Sequence, residues 1–252
     1  MTTTGLIRVA VAGARGRMGR EVVNMLGQDS ELHYAGELDT RQDDAAVRSQ
    51  IEQLRPDVLV DFTTPHTVYR HMELCLEHGI RPVVGTTGLS PEQMEDLKQR
   101  YADAGLGAII APNFAIGAIL CMKFAAMAAK YMPHVEIIEM HHDKKLDAPS
   151  GTALKTAEMI AAVRQEISQG HPEEKETIPG ARGGEYEGFR IHSVRLPGMV
   201  AHQEVLFGAT GQTLSIRHDS ISRESFMPGV NMAIKAVMNL NQLIYGLEHL
   251  VD

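Results

Sequence analysis

Three glycines set the first constraint on this chain. Gly13, Gly16 and Gly19 stand directly behind a short apolar run, Leu6–Ala12, and directly before a helix-patterned segment of about Gly19–Leu26. A strand that passes through a G-x-x-G-x-x-G turn into a helix needs glycine, because the backbone must reverse tightly there. The helix start then presents N–H groups that have no partner within the helix, which suits an anion such as a pyrophosphate. The same glycines would also serve a tight turn with no ligand. The flanking strand and helix, and an acid at the end of the next strand (Asp39, twenty residues after Gly19), favour a nucleotide with its ribose hydroxyls on that acid.

Apolar strands continue to alternate with helices. Leu32–Leu38 reads as the second strand, Val47–Leu54 as a helix stopped by Pro56, and Val58–Phe62 as the third strand. Thr67–Glu77 reads as a helix with Gly79 at its C-terminal cap, and Val83–Val84 begins the fourth strand. Ser90 and Pro91 open another helix, with Glu92 in its first turn, and Ala108–Ala111 is the fifth strand. This alternation predicts an α/β fold with a Rossmann-type doubly wound parallel sheet. Thr63-Thr64-Pro65, Gly85-Thr86-Thr87-Gly88 and Pro112-Asn113 each follow an apolar strand, at the carboxyl ends where such sheets bind ligands. Any one of them would pass as an ordinary turn; three aligned ones favour a binding edge.

After Asn113 the pattern changes. A helix is predicted over about Ala115–Ala129, a strand over Val135–His141 and a helix over Ser150–Ile167. Turns fill His171–Gly188. Strands follow over Phe189–Arg195, Ala201–Phe207 and Gln212–His218, the last two joined by a turn at Gly208–Gly211. This is a second, mixed α+β unit. From Pro228 the tail reads as helix, with an apolar stripe of Val230, Ala233, Ile234, Val237, Leu240, Ile244 and Leu247.

The stretch from Glu139 to Thr152 is the richest in chemistry. A strand runs into His141 and His142, then Lys144 and Lys145, then a helix start at Ser150-Gly151-Thr152. Alternation puts Glu139 and His141 on one face of the strand. Histidine titrates near neutrality and can give a proton, lysine can attract a carboxylate or give a proton, and the helix start suits an anion. A proton donor beside a place for a small dicarboxylate is one reading. A charged surface loop is a second. A metal site is a third, but it needs further ligands, and none at suitable spacing is compelling.

The chain has 252 residues and a formal net charge of −8, so non-specific binding to nucleic acid or an anionic membrane is disfavoured and an anionic substrate needs a local basic cluster. Cys75 and Cys121 both lie in apolar stretches and read as buried free thiols of a reducing compartment. The beginning Met1-Thr-Thr-Thr shows no leader pattern and no apolar run reaches membrane-spanning length, so a cytoplasmic location is expected.

The motif Glu139-x-His-His-x-x-Lys-x-Asp-Ala-Pro-Ser-Gly-Thr-Ala153 resembles the signature of the 4-hydroxy-tetrahydrodipicolinate reductase (dihydrodipicolinate reductase) family. Val11–Arg20, Asp61-Phe-Thr-Thr-Pro65, Gly85–Gly88, Pro112–Phe114 and Ser222-Arg223-x-x-Phe226 fall in the same family order, so the resemblance covers nearly the whole chain. It implies a cyclic hydroxy-dicarboxylate that loses water to give a dihydropyridine-like ring. Hydride from NADH or NADPH then reaches one ring carbon and a proton reaches its neighbour. His141 matches the family's proton donor and Lys145 its other proposed donor; His142, Gly151 and Thr152 match substrate-binding positions. Gly13, Ala14, Arg15, Gly16, Arg17, Met18, Asp39, Gly85, Thr86, Thr87, Ala111, Pro112, Asn113 and Phe114 match cofactor-binding positions. The resemblance also implies a nucleotide domain of residues 1–113 plus 223–252, a substrate domain of 114–222, and a homotetramer built by the second sheet. Some members carry a basic residue directly after the acid of the second strand; here that residue is Thr40, followed by Arg41, which bears on how a 2′-phosphate would be met.

Two rivals share part of this pattern. Another two-domain NAD(P)-dependent dehydrogenase of a small amino or carboxylic acid would keep the nucleotide half but leave the His-His-x-x-Lys stretch without a purpose. A non-enzymatic nucleotide-sensing module would need the glycine loop and no proton donor.

Overall fold

The computed structural model describes residues 5–251; Met1–Thr4, on which the leader reading drew, lie outside them. In chain order the elements are β1 (Ile7–Ala12), α1 (Arg17–Leu26), β2 (Leu32–Leu38), α2 (Asp44–Leu54), β3 (Val58–Asp61), α3 (Val68–His78), β4 (Arg81–Val84), α4 (Pro91–Ala104) and β5 (Ala108–Ile110). Then follow α5 (Ile116–Ala129), β6 (His134–His141), α6 (Gly151–Ala161), β7 (Gly184–Tyr186), β8 (Phe189–Arg195), β9 (Ala201–Ala209), β10 (Gln212–Ser220), α7 (Met227–Val237) and β11 (Leu243–Tyr245). Contacts divide the chain into two units. One runs to Ala115 and takes the chain back from Phe226; the other is Ile116–Ser225.

The first unit is built on a six-stranded sheet in the order β11-β5-β4-β3-β1-β2, with every neighbouring pair parallel. Its central strands are buried without alternation, Val9–Ala12 and Val58–Asp61 throughout, as expected of a parallel sheet covered on both faces. One core gathers Ala10, Leu38, Ile51 and Leu74; another gathers Met72, Val84, Leu97 and Tyr101. Local chemistry sets the helix ends. Ser90 accepts a hydrogen bond from Gln93 N, and the Gln93 side chain accepts one from Ser90 N, with Pro91 in the first turn. Gly79, with φ of 67°, closes α3.

The second unit holds a five-stranded sheet in the order β10-β9-β6-β8-β7, in which only β6 and β8 run parallel. Helices α5 and α6 bring small residues (Ala125, Ala129, Ala153, Ala157) onto Val135, Ile137, Phe189, Ile191, Val205 and Phe207. Small side chains let the helices lie close to the sheet, so one face is sealed and β6 delivers its carboxyl end beside the start of α6.

Several expectations need correction. Helix α2 begins at Asp44, not Val47, because Asp43 caps Ala46 N and the first turn, Asp44 and Ala45, faces solvent ahead of the first buried apolar residue. Helix α6 ends at Ala161, not Ile167: the Arg164 guanidinium donates to the carbonyls of Pro133, Glu187 and Gly188, which fastens this segment to the strand ends instead of continuing the helix. Strand β7 lies inside the stretch expected as turns, and three residues are too few to show a period. The last hairpin is tighter than Gly208–Gly211: Ala209 pairs with Gln212, leaving a two-residue loop with Gly211 at φ of 74°. In the tail, α7 stops at Val237. The chain turns at Asn239–Gln242, with Leu240 outside any helix, Ile244 belongs to β11 alongside Ile109 of β5, and Leu247 sits in a 3-10 turn. Among the described residues no helix is long and apolar enough to cross a membrane.

Candidate active site

Each unit carries one group of the residues singled out above. In the first unit, β1 runs into Gly13 at φ of 78°, where a Cβ would stand 2.7 Å from the carbonyl oxygen of Phe62. Gly16 N donates to Gly13 O at 2.9 Å and closes the turn. At Gly19 a Cβ would stand 2.1 Å from Gly13 O, so only glycine lets α1 begin this close to the loop. Gly16 is the N-cap of α1 and no side chain caps it, so the first-turn N–H groups at Arg17 and Met18 point out of a helix end suited to a phosphate. Ala14 is buried; Arg15 and Arg17 are exposed beside it.

Asp39 follows directly on β2. Arg41 grips it with two hydrogen bonds, Nε to Oδ1 and Nη2 to Oδ2, both 2.8 Å, and its backbone N–H adds a third at 3.2 Å. Those hydrogen bonds from Arg41 hold the Asp39 carboxyl at about 2, well below the usual carboxylate range. Next to it Arg15 Nε donates to Glu37 at 2.8 Å. The corner expected to meet the ribose is thus a balanced set of two acids and two arginines, and Arg41 does reach Asp39.

The remaining turns differ in what they can offer. The Thr86 side chain is turned inward and its hydroxyl donates to Asp61 at 3.0 Å, so towards a ligand Thr86 has its backbone only; Thr87 is exposed. A Cβ at Gly85 would lie 2.0 Å from the Phe62 ring, so any larger residue there would have to displace that ring. Phe62 in turn meets Phe114 edge-on, with ring centroids 5.8 Å apart. Asn113 accepts Ala115 N at 2.8 Å, Ala111 is buried and Pro112 is exposed. A cavity of about 280 Å³ opens against Thr86–Ser90, with Ile110 and Tyr245 on its wall.

In the second unit the alternation of β6 places Glu139 on the helix-covered face, fully buried, with His141 two residues on. Glu139 accepts four hydrogen bonds: from Ser150 N at 3.2 Å, from Arg195 Nη2 and Nη1 at 2.7 and 2.9 Å, and from His141 Nδ1 at 2.5 Å. Burial works against its ionisation, but the bonds from His141 and Arg195 prevail and hold its carboxyl at about 2. A carboxylate only accepts, so Nδ1 of His141 carries its proton inward, and Nε2 is the ring atom left to exchange one. The Lys145 ammonium donates to the exposed Asp147 at 2.8 Å. Ser150 caps α6 by accepting from Ala153 N; Gly151 is exposed in the first turn, with Thr152 partly buried next to it. His142 is exposed.

Arg195 is the residue that sequence reasoning missed, and Glu139 was seen without its role. The Glu139–His141 spacing was a usable signal. Arg195 lies 56 residues from Glu139 and arrives only through the parallel register of β8 on β6, where it pairs with His141. It also donates to Asp147 O at 2.7 Å, tying the histidine–lysine loop to the sheet. Among the described residues no group of three or more His, Cys, Asp or Glu side chains is arranged to hold a metal ion.

Comparison with known proteins places this geometry. The family described as "Dihydrodipicolinate reductase, N-terminus" matches residues 7–114, and "Dihydrodipicolinate reductase, C-terminus" matches residues 117–251. The chain is 57% identical to the 4-hydroxy-tetrahydrodipicolinate reductase of Halalkalibacterium halodurans, over 98% of this chain and 100% of that one. It is 56% identical to the enzyme of the same name from Geobacillus kaustophilus, over 98% and 99%. A dipicolinate-bound dihydrodipicolinate reductase from Paenisporosarcina sp. TG-14 superposes with a TM-score of 0.89 at 50% identity, over 98% of this chain and 100% of that one.

Proposed function

The chain belongs to the dihydrodipicolinate reductase family, and from that premise we propose which of its residues carry the family's reaction. The activity is the NAD(P)H-dependent reduction of 4-hydroxy-2,3,4,5-tetrahydrodipicolinate to 2,3,4,5-tetrahydrodipicolinate, a step of lysine and diaminopimelate biosynthesis. The observation that carries the residue assignment is the hydrogen bond from His141 Nδ1 to fully buried Glu139. It fixes the ring's tautomer and leaves Nε2 as the proton-exchanging atom.

When bound, the reduced nicotinamide supplies a hydride. The residues that would hold the nucleotide fit it. Gly13, Gly16 and Gly19 shape a helix start whose first-turn N–H groups suit a pyrophosphate. Asp39 suits ribose hydroxyls, and Arg41 beside it suits a 2′-phosphate. Gly85, Thr87 and the backbone of Thr86, with Ala111–Phe114, complete the edge. In the second unit His142, Gly151 and Thr152 hold a substrate carboxylate at the start of α6, where the helix dipole favours an anion. With the 4-hydroxyl lost as water, one ring carbon would receive the hydride that a bound reduced nicotinamide supplies, and its neighbour would take a proton either from Lys145 Nζ or from Nε2 of His141 in its imidazolium form, which returns to the Nδ1–H tautomer held by Glu139. Arg195, through Glu139, keeps His141 in place.

The substrate is a cyclic dicarboxylate. A homotetramer is supported by the sheet of the second unit, which α5 and α6 cover on one face and whose β10 is an edge strand of nine residues. A cytoplasmic setting is supported by two buried free cysteines. The test is oxidation of NADH and NADPH with freshly prepared substrate. Substrate-dependent oxidation, inhibited competitively against substrate by pyridine-2,6-dicarboxylate, is expected. Nucleotide binding without turnover would return the sensing module, and turnover of an amino or hydroxy acid instead would return another dehydrogenase.

A further inference from the structure

Beneath the nucleotide edge of the first unit lies a buried carboxylate hydrogen-bonded to a buried histidine. Asp61, the last residue of β3, and His71, in the second turn of α3, are 1% and 4% exposed, with His71 Nδ1 2.5 Å from Asp61 Oδ2. The other oxygen of Asp61 accepts from Thr63 N at 2.8 Å, Thr63 Oγ1 at 2.7 Å and Thr86 Oγ1 at 3.0 Å. Thr63 Oγ1 also meets Thr67 Oγ1 at 3.0 Å, and His71 N donates to Thr67 O at 3.1 Å. One carboxylate thus gathers donors from the turn after β3, the turn after β4 and the helix α3.

A buried carboxylate with its polar partners is not what a sheet core needs for stability, because apolar residues of similar volume usually do as well or better. What this pair does is local. The residue after Asp61 is Phe62, whose carbonyl abuts Gly13 and whose ring abuts Gly85. The segment Asp61–Thr63 therefore opens the turn after β3 and abuts the turns after β1 and β4, at the carboxyl ends where ligands of such sheets bind. Neither Asp61 nor His71 is exposed enough to touch a ligand itself. Burial alone would raise the Asp61 carboxyl, but the bonds from His71 and Thr63 bring it below its ordinary value, so it stays an acceptor for all its donors.

We propose that Asp61 and His71 are positioning residues for the nicotinamide nucleotide: the pair fixes the Thr63–Thr64 and Gly85–Thr87 turns and so sets how tightly the cofactor is held, without contacting it. The inference rests on the nucleotide-binding reading of this unit. It separates binding from chemistry, because His141 and Lys145 belong to the other unit.

The experiment compares wild type with His71→Leu, His71→Asn and Thr86→Val. The readouts are NADH dissociation constant by calorimetry, KM for NADH, kcat at saturating NADH, and folding by circular dichroism. Asparagine can present an N–H close to where Nδ1 stands; leucine cannot. His71→Leu is expected to weaken NADH binding and raise its KM about tenfold, the scale of one charge-assisted hydrogen bond, with kcat changed less than about threefold. His71→Asn is expected to restore most of the loss. Thr86→Val, which removes only the hydroxyl that Asp61 accepts, is expected to weaken NADH in the same direction and keeps the test open if His71→Leu does not fold. NADH affinity unchanged in folded His71→Leu and Thr86→Val, or a loss that His71→Asn does not rescue, would overturn the inference alone. A wild type that does not bind NADH would overturn the reading beneath it as well.

Discussion

The two units build their binding surfaces from opposite materials. The nucleotide edge is made of backbone: Gly13, Gly19 and Gly85 matter for the side chains they lack, and Thr86 turns its hydroxyl away. The histidine end of β6 is made of side chains, with one buried carboxylate balancing a histidine and an arginine. A surface of the first kind is damaged by adding atoms and loses affinity. A surface of the second kind is damaged by removing charge and loses chemistry and stability together.

The largest separable effect is expected at Gly19. Gly19→Ala adds a Cβ that would sit 2.1 Å from Gly13 O, so loop and helix must move apart. Loss of about two hydrogen bonds to phosphate, at about 1.5–3 kcal/mol each, should weaken NADH by about 10²–10⁴-fold. Calorimetric titration measures it, and affinity within threefold of wild type would break the backbone half of the comparison.

Glu139→Gln comes next. It leaves Arg195 without its buried counter-charge and frees the tautomer of His141, so turnover should fall by about 10–10²-fold and stability by about 3 kcal/mol at neutral pH. The sign of the pH dependence follows from the depressed carboxyl. Its stabilisation is fully present above the unfolded value of about 4.3 and is lost as pH falls towards its folded value of about 2. Urea unfolding should therefore show the gap between wild type and Glu139→Gln narrowing from pH 7 to pH 3. A constant gap would mean that packing, not charge, dominates there.

The same contrast explains what was legible in the sequence. The glycine loop, β2 and β8 could be read directly, because apolar runs and glycine or proline caps are local signals. The histidine–lysine motif was legible as a motif. Arg195 beside Glu139, and His71 beside Asp61, were not, since each pair is made by strand register or helix placement. The inward turn of Thr86 was hidden for a related reason: a Gly-Thr-Thr turn does not announce which hydroxyl faces the core. Strand β11 was hidden in an accidental helical stripe that runs across Asn239–Gln242.

A smaller effect is expected at Thr152. Thr152→Val keeps the shape and removes a hydroxyl, so inhibition by pyridine-2,6-dicarboxylate should weaken about tenfold while NADH affinity holds. Competition of that inhibitor with nucleotide rather than substrate would misplace the carboxylate site. Arg41→Ala should matter least, because the Arg41 side chain is exposed. NADH is expected to be used well and NADPH at comparable or lower efficiency. The substitution should lower kcat/KM for NADPH about fivefold and leave NADH nearly unchanged. An equal loss with both cofactors would show that Arg41 serves only to hold Asp39.

The most direct test of this division of labour puts two readouts on the same His141→Ala and Lys145→Ala samples: NADH binding by calorimetry, and turnover of freshly prepared 4-hydroxy-tetrahydrodipicolinate. Turnover is expected to fall by about 10²–10⁴-fold, the scale of lost general-acid help, with the NADH dissociation constant within about twofold of wild type. Near-normal turnover in both variants, or a collapse of NADH binding that accounts for the loss, would contradict the account.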